Sequence, residues 1–339
     1  MIERIVAYIM AVINLITGFF GIDKPVEKTK VENFRVTSYV IADRIQDEAS
    51  ICTEDFDIIT DVILFGCATF DSKGKITVQE DILVKALSNL RKVIGERDIK
   101  ITLNLLGPGY TGSSTDWYEQ MEGLGKEHNK AFMSPGFEKR IVDVIDKYGF
   151  DGIHFDYEYP INNFAWFNFN NFLVSLRAWL GEKRTLGVAI SDWNLNLSTA
   201  AVAAVDTIEF MLYDMYDEEG KHSTAETAKM LSKKIGDANI PLEKVNFGLP
   251  FYARPSDRDS FWYDYAGYYS ELDENGWYRD ENIGKDFWFN TPDVIEDKTD
   301  YAINEGFGGV MIWHYTCDLP STNEKSLLRA IGTAVDNNY

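Results

Sequence analysis

Short apolar runs alternate with longer amphipathic stretches along most of this 339-residue chain. The apolar runs are rich in β-branched residues and have few alternating polar positions, which is typical of parallel strands covered by helices. The pattern predicts eight strands, at residues 35–41, 60–66, 99–105, 149–155, 185–190, 207–213, 244–251 and 308–313.

The stretches between these runs predict helices, because their apolar residues recur three and four positions apart. In one of them, we expect Ser134 and Pro135 to form the helix start and Gly149 to form its end. The predicted helices occupy residues 79–97, 134–148, 166–180, 225–237, 292–304 and 324–335.

Strands and helices alternate about eight times, which predicts a (β/α)8 TIM barrel over residues 34–339. A doubly wound open sheet is the alternative α/β fold. It is disfavoured because no glycine-rich phosphate-binding loop follows the first strand. In a barrel the chemistry lies at the C-terminal ends of the strands, so we look for candidate site residues there.

The first 33 residues differ from the rest of the chain. Residues 5–20 are apolar apart from Asn14 and Thr17, and a charged stretch follows. A helix of that length would span about 24 Å, less than the ~30 Å hydrocarbon core of a bilayer. An export signal fits the length better, and whether it is cleaved or stays as an anchor is open. We expect a secreted or extracellular protein whose only membrane contact would be through residues 5–20.

Charge and composition narrow the choice of partners. The formal net charge of −21 would repel a phosphate backbone, so we expect no nucleic-acid partner. Three scattered cysteines and four histidines provide little material for a disulfide framework or a zinc cluster. We therefore expect no cofactor and no metal. We also expect a monomeric protein.

The strongest chemical signal is the segment DGIHFDYEYP at residues 151–160. In a strand, alternate side chains point to the same side, so His154, Asp156 and Glu158 should face the barrel interior together. Burial and a neighbouring carboxylate both raise the pKa of an acid, which suits Glu158 for general acid catalysis. A buried ion network is the alternative, but Glu158 falls at the strand end, where a substrate arrives.

The segment 151–160 resembles the DGxDxDxE signature of family 18 glycoside hydrolases, and its Tyr159-Pro160 pair resembles the chitinase branch. Four motifs in the family's order identify the chain as a member of it, with one catalytic domain on the barrel. The three other motifs are MLYD at residues 211–214, GLPFYAR at 248–254 and GGVMIW at 308–313.

The resemblance implies a role for each matching residue. Glu158 would protonate the leaving glycosidic oxygen, while the 2-acetamido carbonyl of the substrate would act as nucleophile. The resulting oxazolinium intermediate gives net retention and departs from the usual two-carboxylate scheme. Asp156 would hold the acetamido N–H, Tyr213 would donate to its carbonyl oxygen, and Trp313 would stack under the sugar. The rest of the expected substrate-binding set is Tyr39, Met211, Asp214, Tyr252 and Arg254. Of the remaining tryptophans near loops, we expect about a third to line the cleft: Trp117, Trp166, Trp193, Trp262, Trp277 and Trp288.

His154 departs from the family signature, which has an aspartate at this position. A protonated His154 would keep Asp156 ionised, whereas a neutral one would only hydrogen-bond to it. We expect the protonation of His154 to be coupled to that of both carboxyls, so that this residue modulates the rate and the pH optimum.

The implied function is retaining hydrolysis of β-1,4-linked N-acetylglucosamine, in chitin or chito-oligosaccharides, by a chitinase-type enzyme. The chitobiose core of N-glycans and peptidoglycan are alternative substrates, because specificity lies in loops. A catalytically weak chitin-binding lectin on the same barrel is the alternative from another class. The presence of Glu158, Asp156 and Tyr213 argues against the lectin.

Overall fold

The computed structural model describes residues 30–193 and 195–339, in which eight parallel strands form a closed barrel. Each strand pairs with the strands that precede and follow it in the chain, and the eighth closes onto the first. The predicted (β/α)8 barrel is therefore confirmed. The strands are β1 (Arg35–Ile41), β2 (Asp61–Phe65), β3 (Lys100–Leu105), β4 (Gly152–Asp156), β5 (Thr185–Ile190), β6 (Thr207–Phe210), β7 (Val245–Pro250) and β8 (Gly309–Trp313).

Helices cover the outside of the barrel and follow the predicted positions, with two additions. The helices near predicted positions are Glu80–Ile94, Phe137–Tyr148, Asn163–Leu180, Ala225–Ser232 with Lys234–Asp237, Pro292–Glu305 and Leu327–Asn338. The two barrel-covering helices that the pattern did not predict are Trp117–Phe132 and Thr199–Ala204. The first of these is polar and contains Gly123 and Gly125, which weaken a helical signal. Its N-cap Asp116 accepts a hydrogen bond from the amide of Glu119 at 3.0 Å.

The predicted start of one helix is wrong. Ser134 does not cap it, because the helix begins at Phe137 and its N-cap is Gly136 in the left-handed region, at φ 74°. The Ser134 hydroxyl instead donates to the carbonyl of Lys73 at 2.6 Å. The predicted end is confirmed, since Gly149 is the C-cap at φ 71°.

Between β7 and β8 the chain forms a small insertion beside the barrel mouth. It consists of two antiparallel pairs with the helix Tyr265–Tyr268 between them. The first pair joins Tyr252–Ala253, directly after β7, to Tyr263–Asp264; the second joins Trp277–Asp280 to Lys285–Trp288. The insertion thus places its first pair next to the C-terminal ends of β7 and β8.

The barrel interior below the mouth is polar. Asn246 on β7 donates to both carboxylate oxygens of Glu209 on β6, at 2.9 and 3.0 Å, and to Thr37 on β1 at 3.0 Å. Burial raises the pKa of Glu209 to about 7. These contacts satisfy polar groups that would otherwise destabilise the core, and they tie three strands together.

The apolar segment 5–20 lies outside the described residues, so its role as signal or anchor stays a prediction. Among residues 30–193 and 195–339, no helix is long and apolar enough to cross a bilayer. At the start of the described part, Lys30 and Val31 contact the last helix: the Lys30 ammonium donates to Asn338, and Tyr339 donates to the Val31 carbonyl.

Candidate active site

The end of β4 carries the predicted acidic pair into the barrel mouth. Phe155 and Tyr157 point outward and pack against the helix Asn163–Leu180, so the residues between them point inward. Asp156 is the last residue of β4, and Glu158 follows two positions later. The strand alternation that the sequence predicted therefore places both carboxyls on the inner side.

A pocket at this mouth brings together nine of the ten predicted site residues. The tenth, His154, lies in the interior below it. Residues of the ends of β1, β4, β5, β6, β7 and β8 contribute. The pocket is lined by Tyr39, Asp156, Glu158, Ser191, Asp192, Trp193, Met211, Tyr213, Asp214, Met215, Tyr252, Arg254 and Trp313.

Burial dominates the electrostatics of the two carboxyls on β4. It raises the pKa of Glu158, and the negative charge of Asp214 raises it further. Burial also raises the pKa of Asp156, with Glu158 as a second cause. The two groups titrate as a coupled pair, which favours a protonated acid at a pH where an ordinary glutamate is ionised.

Asp156 offers an open acceptor to whatever binds in the pocket. Its Oδ1 is buried, and no donor from the described residues hydrogen-bonds to it. A buried carboxylate oxygen without a donor is costly, and a ligand N–H can relieve that cost. The site is therefore suited to a ligand that brings a hydrogen-bond donor to Asp156.

Tyr213 faces the same space with a hydroxyl that can donate. Burial, reinforced by the charges of Asp156 and Glu158, raises its pKa well above the ordinary value, so the hydroxyl stays protonated. Its contact in the structure is the thioether sulfur of Met311 at 3.9 Å, a weak acceptor. A ligand carbonyl oxygen would be a stronger partner.

Asp214 is fixed by donors from three directions. It accepts hydrogen bonds from the ring of His222 at 3.0 Å, from the hydroxyl of Tyr252 at 2.6 Å and from Arg254 at 2.6 and 2.8 Å. Burial alone would raise the pKa of Asp214, but the hydrogen bonds from His222 and Arg254 hold it well below its usual range. Asp214 is thus an ionised, immobile anion beside Glu158.

The expected coupling of His154 to the two carboxyls is contradicted. Its Nδ1 faces the amide of Asn104 at 3.0 Å, and its Nε2 faces the hydroxyl of Tyr39 at 3.4 Å, rather than Asp156. Burial lowers the pKa of His154 to about 3, so the ring is neutral. The ring fits because Gly187 on β5 lies opposite: a Cβ there would come within 2.7 Å of it.

The floor of the pocket is aromatic. Trp313 packs edge-on against Tyr39, with ring centroids 5.1 Å apart, and against Phe65 at 5.0 Å. These contacts hold the indole in one orientation at the end of β8. At the rim, Trp193 and Trp117 are exposed and pack edge-on at 5.9 Å, whereas Trp166 and Trp288 are buried.

Comparison with known proteins agrees with the motifs and the barrel. The sequence model of Glycosyl hydrolases family 18 matches residues 14–318 of the chain. The chain belongs to this family. The family 18 chain is similar to Endochitinase 1 of Metarhizium anisopliae, 23% identical over 237 residues, which cover 54% of this chain and 55% of that protein. It is also similar to Chitinase A1 of Niallia circulans, 24% identical over 265 residues, which cover 56% of this chain and 38% of that protein. The matches span about half, or less, of the length of these curated relatives.

Solved structures share the fold of the family 18 chain. The GH18 chitinase ChiB of Flavobacterium johnsoniae has a TM-score of 0.70 and 24% identity, with 91% of this chain and 95% of that chain covered. The chitinase-like agglutinin of Robinia pseudoacacia has a TM-score of 0.65 and 16% identity, with 88% and 98% covered. At these identities the likeness establishes the barrel and not the activity.

Some residues in or beside the pocket have no sequence signal that could have identified them. His222 is buried and positions Asp214, but it lies eight residues later in a loop without a recognisable motif. Asp192 lines the pocket and pairs with Lys234 at 2.6 Å. Met215 directly follows the MLYD motif, and only its proximity to that motif could have suggested a role.

Proposed function

We propose that this family 18 chain is a retaining hydrolase of β-1,4-linked N-acetylglucosamine, acting on chitin or chito-oligosaccharides. The observation that carries the proposal is the buried Oδ1 of Asp156, an acceptor without a donor beside a glutamate whose pKa is raised. An N-acetyl sugar carries an amide N–H and an amide carbonyl next to the bond to be cleaved. The pocket offers a partner to each, in Asp156 and Tyr213.

Glu158 acts as the general acid in this proposal. Its raised pKa favours the protonated carboxyl, whose proton is transferred to the leaving glycosidic oxygen. After the leaving sugar departs, the same carboxylate takes a proton from the water that attacks. The acid is restored at the end of each cycle.

The nucleophile is the 2-acetamido carbonyl oxygen of the substrate. It attacks the anomeric carbon as the glycosidic bond breaks, and an oxazolinium ion forms. Asp156 accepts a hydrogen bond from the acetamido N–H and offsets the positive charge of this ion. The Tyr213 hydroxyl donates a hydrogen bond to the carbonyl oxygen and orients it. Interactions that strengthen as the oxazolinium ion forms lower the activation barrier of the reaction.

The rim of the pocket favours a substrate longer than one sugar. Trp193 lines the pocket, and Trp117 extends the exposed aromatic surface outward from it. Exposed indole faces stack on the apolar faces of sugar rings. The alternative substrates are the chitobiose core of N-glycans and peptidoglycan. Two similar proteins are named chitinases, which supports chitin as the substrate over these alternatives.

The decisive experiment is Glu158→Gln, which keeps the size of the side chain but removes the proton donor. General acid catalysis contributes about 10²–10⁴-fold, so kcat on chitotetraose should fall by at least a hundredfold. Binding of the same oligosaccharide, measured by calorimetry, should persist. Turnover of chitotetraose close to the parent value in Glu158→Gln would refute the mechanism. A parent protein that binds the oligosaccharide but never cleaves it would instead establish the lectin alternative.

Substrate preference separates the remaining alternatives. Parent protein should cleave chito-oligosaccharides faster than a high-mannose glycopeptide or a peptidoglycan fragment. Cello-oligosaccharides, which lack the 2-acetamido group, should not be cleaved, and a thiazoline analogue of the oxazolinium ion should inhibit competitively. Efficient cleavage of cello-oligosaccharides would contradict the acetamido nucleophile.

We also propose that the chain is exported, with residues 5–20 as signal or anchor. A protein that begins at residue 30 keeps the Lys30 and Val31 contacts to the last helix. We therefore expect it to fold, with kcat/KM equal to that of the full chain. Aggregation or inactivity of this shorter protein would show that the first residues belong to the folded domain. Cell fractionation of the full chain tests the export itself.

A further inference from the structure

A second chemical cluster lies behind the pocket floor, away from the catalytic carboxyls. It combines Asp264 of the insertion, His314 directly after β8, and Cys317 in the short turn Tyr315–Cys317. A ligand atom from each residue lies within 4.8 Å of the other two. His314 and Cys317 are fully buried, whereas about a third of the Asp264 side chain is exposed.

We propose that Asp264, His314 and Cys317 bind a zinc ion. Thiolate, imidazole and carboxylate are the ligands that Zn²⁺ takes in proteins, and three protein ligands leave one coordination position for water. His314 and Cys317 are three residues apart in the segment after β8. Asp264, from the short strand Tyr263–Asp264, approaches them from the insertion.

The distances suit an ion at the centre of the cluster. The Cys317 sulfur lies 3.2 Å from Nε2 of His314 and 3.0 Å from Oδ1 of Asp264. Tetrahedral bonds of about 2.3 Å to sulfur and about 2.0 Å to nitrogen would place those two atoms about 3.6 Å apart. The ligands would therefore have to separate by only about half an ångström. Binding releases the thiol proton of Cys317 to solvent, so that the sulfur coordinates as thiolate.

The surroundings orient the three ligands as outer-shell groups do in metal sites. Nδ1 of His314 faces the Thr316 hydroxyl at 3.2 Å, which leaves Nε2 toward the cluster. Oδ2 of Asp264 accepts from Arg44 at 3.2 Å, and Oδ1 accepts from the Trp262 indole at 3.2 Å while its second lone pair faces the thiol. Asp264, Arg44 and Thr316 also line an open cleft through which an ion can enter.

A bound ion would brace the wall of the catalytic pocket. Asp264 pairs with Tyr252 across the first hairpin of the insertion, and His314 follows Trp313 in the chain. Zinc would thus join the strand that pairs with Tyr252 to the segment that follows β8. We expect it to raise the thermal midpoint of the protein by an amount that grows with zinc concentration, as ligand linkage requires.

The test uses the full chain, purified without a histidine tag and with a phosphine reductant, then stripped with EDTA and desalted. Calorimetric titration with ZnCl₂ should give one ion per chain, and Co²⁺ should give a thiolate-to-cobalt charge-transfer band. Cys317→Ser should weaken zinc binding about a hundredfold or more and abolish the band, and Asp264→Asn should weaken binding by at least tenfold. Cys52→Ser is the matched control, because the Cys52 thiol contacts Glu54 elsewhere, at 3.1 Å; it should bind as the parent does.

Two results would overturn the proposal. One is a parent protein that binds no zinc tightly enough to measure at millimolar concentration. The other is equal zinc affinity in the parent and in both ligand variants. Either result would mean that the cluster is a hydrogen-bonded chain, in which His314 donates to the Cys317 sulfur and the thiol donates to Asp264. If Cys317→Ser does not fold, Asp264→Asn decides the question alone, since its side chain is partly exposed.

Discussion

Tyr252→Phe tests how firmly Asp214 is held at the edge of the pocket. Tyr252 is 2% exposed, and its hydroxyl lies 2.6 Å from Asp214 Oδ1. Phenylalanine fills the same space, so the substitution removes one hydrogen bond without creating a cavity. A hydrogen bond to a charged group contributes about 1.5–3 kcal/mol. Because His222 and Arg254 still donate to Asp214 in the variant, we expect the lower part of that range, about 1.5–2 kcal/mol.

Tyr265→Phe is the matched control. Tyr265 is equally buried, and its hydroxyl donates to the neutral carbonyl of Lys325 at 3.0 Å. A neutral hydrogen bond contributes about 1 kcal/mol, so the loss in Tyr252→Phe should be about twice that in Tyr265→Phe. Urea unfolding of the parent and both variants at 25 °C measures the two differences in the free energy of unfolding.

The pH dependence of the Tyr252→Phe deficit adds a second check. The pKa of Asp214 is lowered in the folded protein, so its stabilising contribution is present above the unfolded pKa of about 3.9 and is lost as pH falls through the folded pKa. The deficit should therefore be the same at pH 7 and at pH 5. A deficit no larger than that of Tyr265→Phe, or one that disappears by pH 5, would refute the reasoning about Asp214.

Two further substitutions should change the pH dependence of activity and of stability. Asp214→Asn removes a negative charge that raises the pKa of Glu158, so the alkaline limb of kcat/KM against pH should move to lower pH; an unchanged limb would mean that Asp214 does not influence the acid. Lys298 is fully buried against Ser223 and Asn290, and burial lowers its pKa to about 7. The unfolded chain then binds the additional proton between about pH 7 and 10, so thermal stability should rise with pH over that window, and Lys298→Met should flatten the rise.

The barrel could be predicted because its signal is repeated and local. Each strand is a short, mostly apolar run, and the predicted bounds of β1 and β5 agree with the structure to the residue. The fourth strand was placed too early, at residues 149–155, because Gly149 ends the preceding helix and the strand begins only at Gly152. The helix start predicted at Ser134-Pro135 is wrong for a similar reason. The Ser134 hydroxyl, which could cap a helix, instead donates to the carbonyl of Lys73 in another loop.

The candidate active site could be predicted because the barrel converts sequence position into spatial position. Residues at the C-terminal ends of different strands meet at one mouth, so motifs separated by more than 150 residues predict one site. His222 and the Asp264–His314–Cys317 cluster could not be found this way. His222 lies in the loop after β6, Asp264 in a short strand of the insertion, and His314 and Cys317 directly after β8; nothing in their spacing indicates that they converge.

The position of His154 determines how the acidic pair must hold its proton. A carboxyl at this position could share a proton with Asp156 from below, but the neutral ring of His154 faces Asn104 and Tyr39. Asp156 and Glu158 are then the two coupled groups that titrate at the end of β4. Since burial raises the pKa of both, ionising the second carboxyl beside the first is costly. The buried pair therefore favours keeping one proton, as the proposed general acid Glu158 requires, and His154 contacts Tyr39 as a neutral ring.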